Sequence, residues 1–343
     1  MEYYFSQLSR PEQAVYTALR TALSSAERSV RCLRLEPAAM ERVYGQLKLD
    51  HPEIFWVRSY RYYVTEGADY VELRPDYLFD KGKLRAQQQA VEARTARLLR
   101  PVQQASEEEK LRYIHDFILE NVRYDKLKKE YSHEVFGPLC SGVGVCEGIA
   151  KTVKLLCDRL GLACIVVLCE ADPANGYRYR HAWDLVKTGG QWRHLDATFD
   201  LTLSACGTPR YDYYNLSDSH LFRDHRPSMY PIPPAPDSGG FFYKTAGLSF
   251  TKPEDAEKRM AQALRKKQPL FVMHWRGGFL TREVLGELLD RAAGKAAERG
   301  LAVQASVNFP QAVVCFRFGQ AGALLEENAD AEEQDIDSPP EED

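Results

Sequence analysis

Residues 181–196 read HAWDLVKTGGQWRHLD, two runs rich in apolar and aromatic residues joined by Gly189-Gly190. Such a pair between such runs signals a two-residue hairpin, because the favoured turn needs positive φ at both central residues. Thr188 then pairs with Gln191, Trp183 with Asp196 and His181 with Thr198. Side chains on one face of a strand recur every second residue. His181 and Asp196 therefore project from the same face as diagonal neighbours, ~7–8 Å apart by Cα and within reach of an imidazole–carboxylate hydrogen bond. An odd-length loop would place them on opposite faces. The expected strands span about 179–187 and 191–199.

Upstream, Ile165 to Cys169 reads as a short apolar strand, preceded by an amphipathic helix with Ile149, Val153, Leu156 and Leu160 on one face and Gly161 as its C-terminal cap. That helix opens at Cys146, directly after the glycine-rich Gly142-Val143-Gly144-Val145. First-turn N–H groups and the helix dipole favour an anion at this point, which makes a thiol a better nucleophile. Gly142 and Gly144 allow close backbone approach. A lone Cys is ordinarily a small buried apolar residue. An imidazole already oriented by a carboxylate changes that reading, because Asp196 would fix the tautomer of His181 and His181 would take the thiol proton. Further upstream, Ser106 and Glu109 form a capping box before a helix with Leu111, Ile114, Ile118 and Val122 at helical spacing. Helix followed by antiparallel strands is an α+β pattern.

Three segments, GVCEGIAKTVKLLCDRLGLA, HAWDLV and HLDATFD, together with DFILENVRYD before them, resemble the transglutaminase-like superfamily with its papain-like fold. The resemblance covers roughly 107–226. It implies Cys146 as nucleophile, His181 as general acid and base, and Asp196 as the orienting carboxylate. Ile149 stands where the family pattern has an aromatic residue, a matter of packing. Tyr213-Tyr214-Asn215-Leu216 and Asp224-His225 are similar to bacterial members and would close the domain. Enzymes of this kind attack an amide carbonyl and pass the acyl group from a thioester to water or an amine. The backbone N–H of Cys146 is the expected oxyanion donor, and Tyr124 or Tyr131 the expected side-chain donor. Trp183 packs the sheet and would also wall the cleft. The expected substrate is a protein or peptide, with no cofactor and no metal. The alternative is a non-catalytic binding or scaffold protein that keeps the fold; a third reading, deglycosylation of glycoprotein amides, would need an aromatic-lined, sugar-sized cleft.

The remaining features narrow the choice. The chain has 343 residues and a formal net charge of -4, but 326–343 holds ten Asp or Glu and no Lys or Arg. The rest carries 45 basic against 39 acidic residues without a basic run, which gives no case for nucleic-acid binding. The acidic stretch is expected to be a disordered tail. No apolar run approaches the ~20 residues that cross a bilayer, and MEYYFSQLSRPEQAV lacks a secretory pattern, so the expected location is cytoplasmic. Five of eight cysteines lie between Cys140 and Cys169 with no CxxC pair, which argues against disulfides and zinc. His194 is expected to be structural and near the hairpin's open surface, Trp192 to pack the sheet, and Cys140 to be a simple thiol. His220 and His225, five apart, lack the i, i+4 spacing of a helical metal pair. The expected organisation is an α+β N-terminal region at 1–104, the catalytic core at 105–226, a Pro/Gly-rich linker at 227–240, a small α/β domain at 241–325 and the tail at 326–343.

Overall fold

In a computed structural model of the protein, the hairpin forms in the expected register, with Thr188 opposite Gln191 and Asp184 opposite Leu195. Both turn glycines take positive φ, 56° at Gly189 and 77° at Gly190. The structure describes residues 1–172, 174, 180–204, 207–236 and 239–322. Residue 179, where the first expected strand begins, and the acidic stretch 326–343 lie outside the described residues. The chain divides into two units, Met1–Ser238 and Gly239–Asp343.

The first unit begins with α1 (Arg10–Ser24), β1 (Val30–Leu33), α2 (Pro37–Asp50), β2 (Val57–Val64), β3 (Tyr70–Tyr77) and α3 (Lys81–Leu99). Ser9 and Glu12 form a capping box at the start of α1, which buries Val15, Tyr16, Leu19, Ala22 and Leu23 on one face. The strands make an antiparallel sheet in the order β1-β3-β2. Then follow α4 (Glu107–Asn121), β4 (Arg123–Tyr124), β5 (Val143–Gly144), α5 (Cys146–Arg159), β6 (Ala163–Cys169), β7 (His181–Thr188), β8 (Gln191–Leu195), α6 (Ala197–Ser204), β9 (Tyr214–Leu216) and α7 (Asp218–Leu221). Ser106 and Glu109 close the expected capping box on α4. The sheet β6-β7-β8-β9 is antiparallel throughout, and α5 packs on β6 and β7. Val153, Leu156, Cys157, Ile165 and Leu185 are among the fully buried residues that join helix to sheet.

The N-terminal elements are anchored to this core by polar groups as well as packing. The Tyr4 hydroxyl donates to the Val166 carbonyl at 2.7 Å. Asp50 accepts from the backbone N–H groups of Tyr4 and Phe5 and from the Tyr16 hydroxyl. Lys48 on α2 donates to Glu134, which also accepts from Lys151 on α5 at 3.0 Å. All three side chains are buried, and buried charges of this kind persist only when paired.

One strand differs from expectation. The run expected to continue to Phe199 stops at Leu195, and α6 begins at Ala197. The cause is Asp196, whose Oδ1 accepts from the backbone N–H groups of Thr198 and Phe199, both at 2.9 Å, and so caps a helix in place of extending a strand.

The second unit comprises α8 (Phe242–Thr245), β10 (Ser249–Phe250), α9 (Pro253–Arg265), β11 (Leu270–Trp275), α10 (Arg282–Ala297), β12 (Ala302–Asn308) and β13 (Val313–Gly319). Its sheet runs β10-β11-β13-β12. Met260, Leu264, Leu288 and Ala292 from the helices bury against Phe271, Met273 and Phe316 from the strands. Among the described residues no helix is long and apolar enough to cross a membrane.

Candidate active site

Cys146 is the first residue of α5 and partly exposed. The chain reaches it through a short parallel ladder in which Tyr124 pairs with Gly144. The Asp125 carboxylate holds the intervening loop, accepting from the backbone of Leu127 and Lys129 and from the Ser132 hydroxyl. The Ser132 carbonyl in turn accepts from the Val145 N–H at 3.0 Å. This packing requires Gly148: a Cβ there would stand 2.1 Å from the Ser132 carbonyl oxygen.

His181 is the first residue of β7 and Asp196 follows β8. His181 Nε2 and Asp196 Oδ2 are 2.5 Å apart. Because the carboxylate only accepts, Nε2 carries the proton, and Nδ1 is the nitrogen left for another partner. The Cys146 side chain lies near enough to the same imidazole for its charge to act on it. Three residues separated by up to 50 positions are thus brought to one point.

Burial opposes a charge on His181, but the Asp196 carboxylate, then the charge of Cys146, push the imidazole up to about 10. Burial would likewise raise Asp196; the charge of His181 and hydrogen bonds from His181 and His225 override it and hold the carboxyl well below the usual range. Asp196 is fully buried. Its Oδ1 takes the two α6 N–H groups and its Oδ2 takes two imidazoles, which uses the roughly four acceptor sites of a carboxylate.

Other expected residues are placed as follows. Tyr124 is 42% exposed, and burial followed by the nearby charge of Cys146 pushes its phenol up to about 12. Tyr131 lies edge-on to Phe136 at 6.1 Å with Lys129 at 5.9 Å from its ring; no contact joins it to Cys146 among the described residues. Trp183 was expected to wall a cleft. It is only 1% exposed, stacks behind the His181 ring at 6.1 Å and donates its indole N–H to His194 Nδ1 at 3.1 Å, so it supports the imidazole from below. His194 is structural but not superficial: it is fully buried, with Nε2 2.8 Å from Asp218 Oδ1. Cys140 is an exposed free thiol.

From sequence, His225 is only part of a closing segment and an unsuitable metal partner for His220. It is buried, with Nε2 2.9 Å from Asp196 Oδ2. The residue type and its Asp224 neighbour were visible in the sequence, but no periodicity connects position 225 to position 196. His181, Asp196 and His225 offer ligand atoms within 4.8 Å of one another. A tetrahedral zinc with bonds near 2.0 Å would hold its ligand atoms roughly 3.3 Å apart. The carboxylate oxygen lies 2.5 and 2.9 Å from the two nitrogens, which are hydrogen-bond lengths. The trio is a hydrogen-bonded group, not a preformed metal cage.

The sequence model of the transglutaminase-like superfamily core matches residues 93–197, which include Cys146, His181 and Asp196. Residues 93–197 are a transglutaminase-like domain. The fold is mixed α+β, and this stretch, with α5 packed on the sheet, is its transglutaminase-like core. The match begins earlier than the resemblance read from the sequence and ends just past Asp196, leaving His225 outside it. No curated protein matches the chain. Among solved structures, the chain is similar to a TGase, at 12% identity over 66% of each chain with a TM-score of 0.30. It is also similar to a candidate cysteine protease from Cytophaga hutchinsonii, at 15% identity over 41% of this chain and 61% of that one, TM-score 0.27. A candidate protease from Parabacteroides distasonis is similar at 13% identity over 41% of this chain and 37% of that one, TM-score 0.25. The chain spans less than two thirds of the length of each.

Proposed function

We propose that the protein is a cysteine-dependent amide-processing enzyme, a peptidase, amidase or acyl transferase, working through Cys146, His181 and Asp196. The observation that carries this reading is the His181–Asp196 hydrogen bond through Nε2, which leaves Nδ1 as the nitrogen to serve a thiol whose charge already acts on the ring. In the reaction, Cys146 Sγ attacks the amide carbonyl while His181 holds the thiol proton. Collapse of the tetrahedral intermediate breaks the C–N bond, and His181 gives that proton to the departing amine. The acyl-thioester then passes to water or to an amine, with His181 now accepting the proton of the incoming nucleophile. The Cys146 N–H at the mouth of α5 supplies one oxyanion donor. Tyr124, held beside it by the β4–β5 ladder, supplies the second.

An electrophilic thiol probe tests this directly. Labelling is expected at Cys146 ahead of the other cysteines, with loss of labelling in Cys146→Ser and sharp slowing in His181→Ala. Amide turnover in a peptide-library screen should disappear in both. Normal folding with no preferential labelling of Cys146 would instead support a binding or scaffold protein on the same fold.

A further inference from the structure

The candidate triad does not end at Asp196. His225 stands on the far side of the same carboxylate oxygen, four residues beyond α7, and its backbone N–H is tied to the Leu221 carbonyl at 3.1 Å. Its Nε2 is 2.9 Å from Asp196 Oδ2 and its Nδ1 is 2.8 Å from Asp224 Oδ1. The other Asp224 oxygen accepts from the Tyr213 hydroxyl at 2.5 Å. A carboxylate oxygen has nothing to donate, so each bond requires a proton on the ring nitrogen. A neutral imidazole carries only one. Satisfying both carboxylates therefore requires the doubly protonated, cationic ring.

Resting on the triad reading, we propose that His225 is a positioning residue: a buried imidazolium clamped between Asp224 and Asp196, which fixes the carboxylate that orients His181 and takes a share of its charge. The titratable groups around it are Asp196 and Asp224, His181 with its ring 5.5 Å away, Tyr213 at 5.5 Å, and His194 on β8. Trp183 at 5.3 Å and Phe199 at 4.7 Å enclose it without adding charge. The direction of its titration agrees. Burial opposes the charge, yet bonds to Asp196 and Asp224 raise the imidazole above its ordinary value, with His181 pulling the other way.

The consequence for the reaction is specific. Two cations share one carboxylate oxygen, so each weakens the hold of Asp196 on the other. Without the charge of His225, Asp196 serves His181 alone. His181 then keeps its proton to higher pH, while the carboxylate loses one of its four anchors.

The test is the pH dependence of Cys146 alkylation by iodoacetate, whose rate falls as the neighbouring imidazolium loses its charge, read for the wild type, His225→Gln and Asp224→Asn. His225→Gln is expected to move the alkaline limb upward by roughly one to two pH units, as expected for removing a unit charge at this separation, and to lower the plateau rate about tenfold. Asp224→Asn, which removes the outer anion, should shift the limb in the same direction by less. Imidazole NMR of the wild type should show both nitrogens of His225 protonated at neutral pH. An activated wild-type Cys146 whose limb and plateau are unchanged in both variants overturns the inference and leaves the triad standing. So does a singly protonated His225. An unactivated wild-type thiol overturns the triad reading instead, whatever the state of His225. If His225→Gln does not fold, the Asp224→Asn profile and the wild-type spectrum still decide.

Discussion

At the level of single residues, the site is a chain of alternating donors and acceptors in which Asp196 is the hub. Its placement was half legible in the sequence. The period of two and the Gly189-Gly190 turn put His181 and Asp196 on one face, and they meet at 2.5 Å although Asp196 has already left the strand. The second imidazole was not legible, because nothing local joins position 225 to position 196; only tertiary structure brings it there. The elevated imidazole of His181 has a consequence for stability. A group whose folded-state pKa lies above its unfolded value stabilises fully below about 6.5, the unfolded histidine value, and that contribution is lost as pH rises through about 10. Urea unfolding of the wild type should therefore weaken between these limits by more than that of a folded His181→Gln variant. Parallel curves over the whole range would remove the ion pair from the account. The depressed carboxyl of Asp196 works in the opposite sense, its contribution fading as pH falls below the usual carboxylate range.

Among the elements, α5 is the one whose start carries the proposed nucleophile. Its amphipathic face and the glycines before it were readable from spacing, and the helix begins at Cys146 as expected. What local pattern did not show is how tightly the 130–133 segment lies against its first turn. Gly148 makes this possible, and the glycine signals a close approach only once the Ser132 carbonyl is seen against it. Gly148→Ala must push backbone against backbone, a kind of overpacking that costs about 1–3 kcal/mol or more. We expect a lower denaturation midpoint with an unchanged slope, together with weaker probe labelling of Cys146 as the helix start shifts. Wild-type stability and labelling in that variant would show that the contact is not needed to place the thiol. The early end of β8 has an equally local cause, since a carboxylate that caps α6 cannot also continue the strand.

For the whole molecule, the central fact is that Cys146 and His181 come together only through tertiary structure: α5 packs on β6 and β7, and the N-terminal elements brace that packing through Tyr4 and the buried Lys48–Glu134–Lys151 group. Sequence spacing could set the hairpin and the helix separately but could not dock one on the other. The family match over 93–197 supplies that step at the level of the fold. If the docking activates the thiol, activation must vanish when the chain unfolds. The measurement is the alkylation rate of Cys146 by iodoacetamide from about pH 5 to about pH 9, in the folded protein, in the urea-unfolded chain and in folded His181→Ala. Folded wild-type Cys146 is expected to react fastest, by at least about tenfold near pH 6, with His181→Ala falling toward the unfolded rate. Equal rates for folded and unfolded wild type across that range would contradict it.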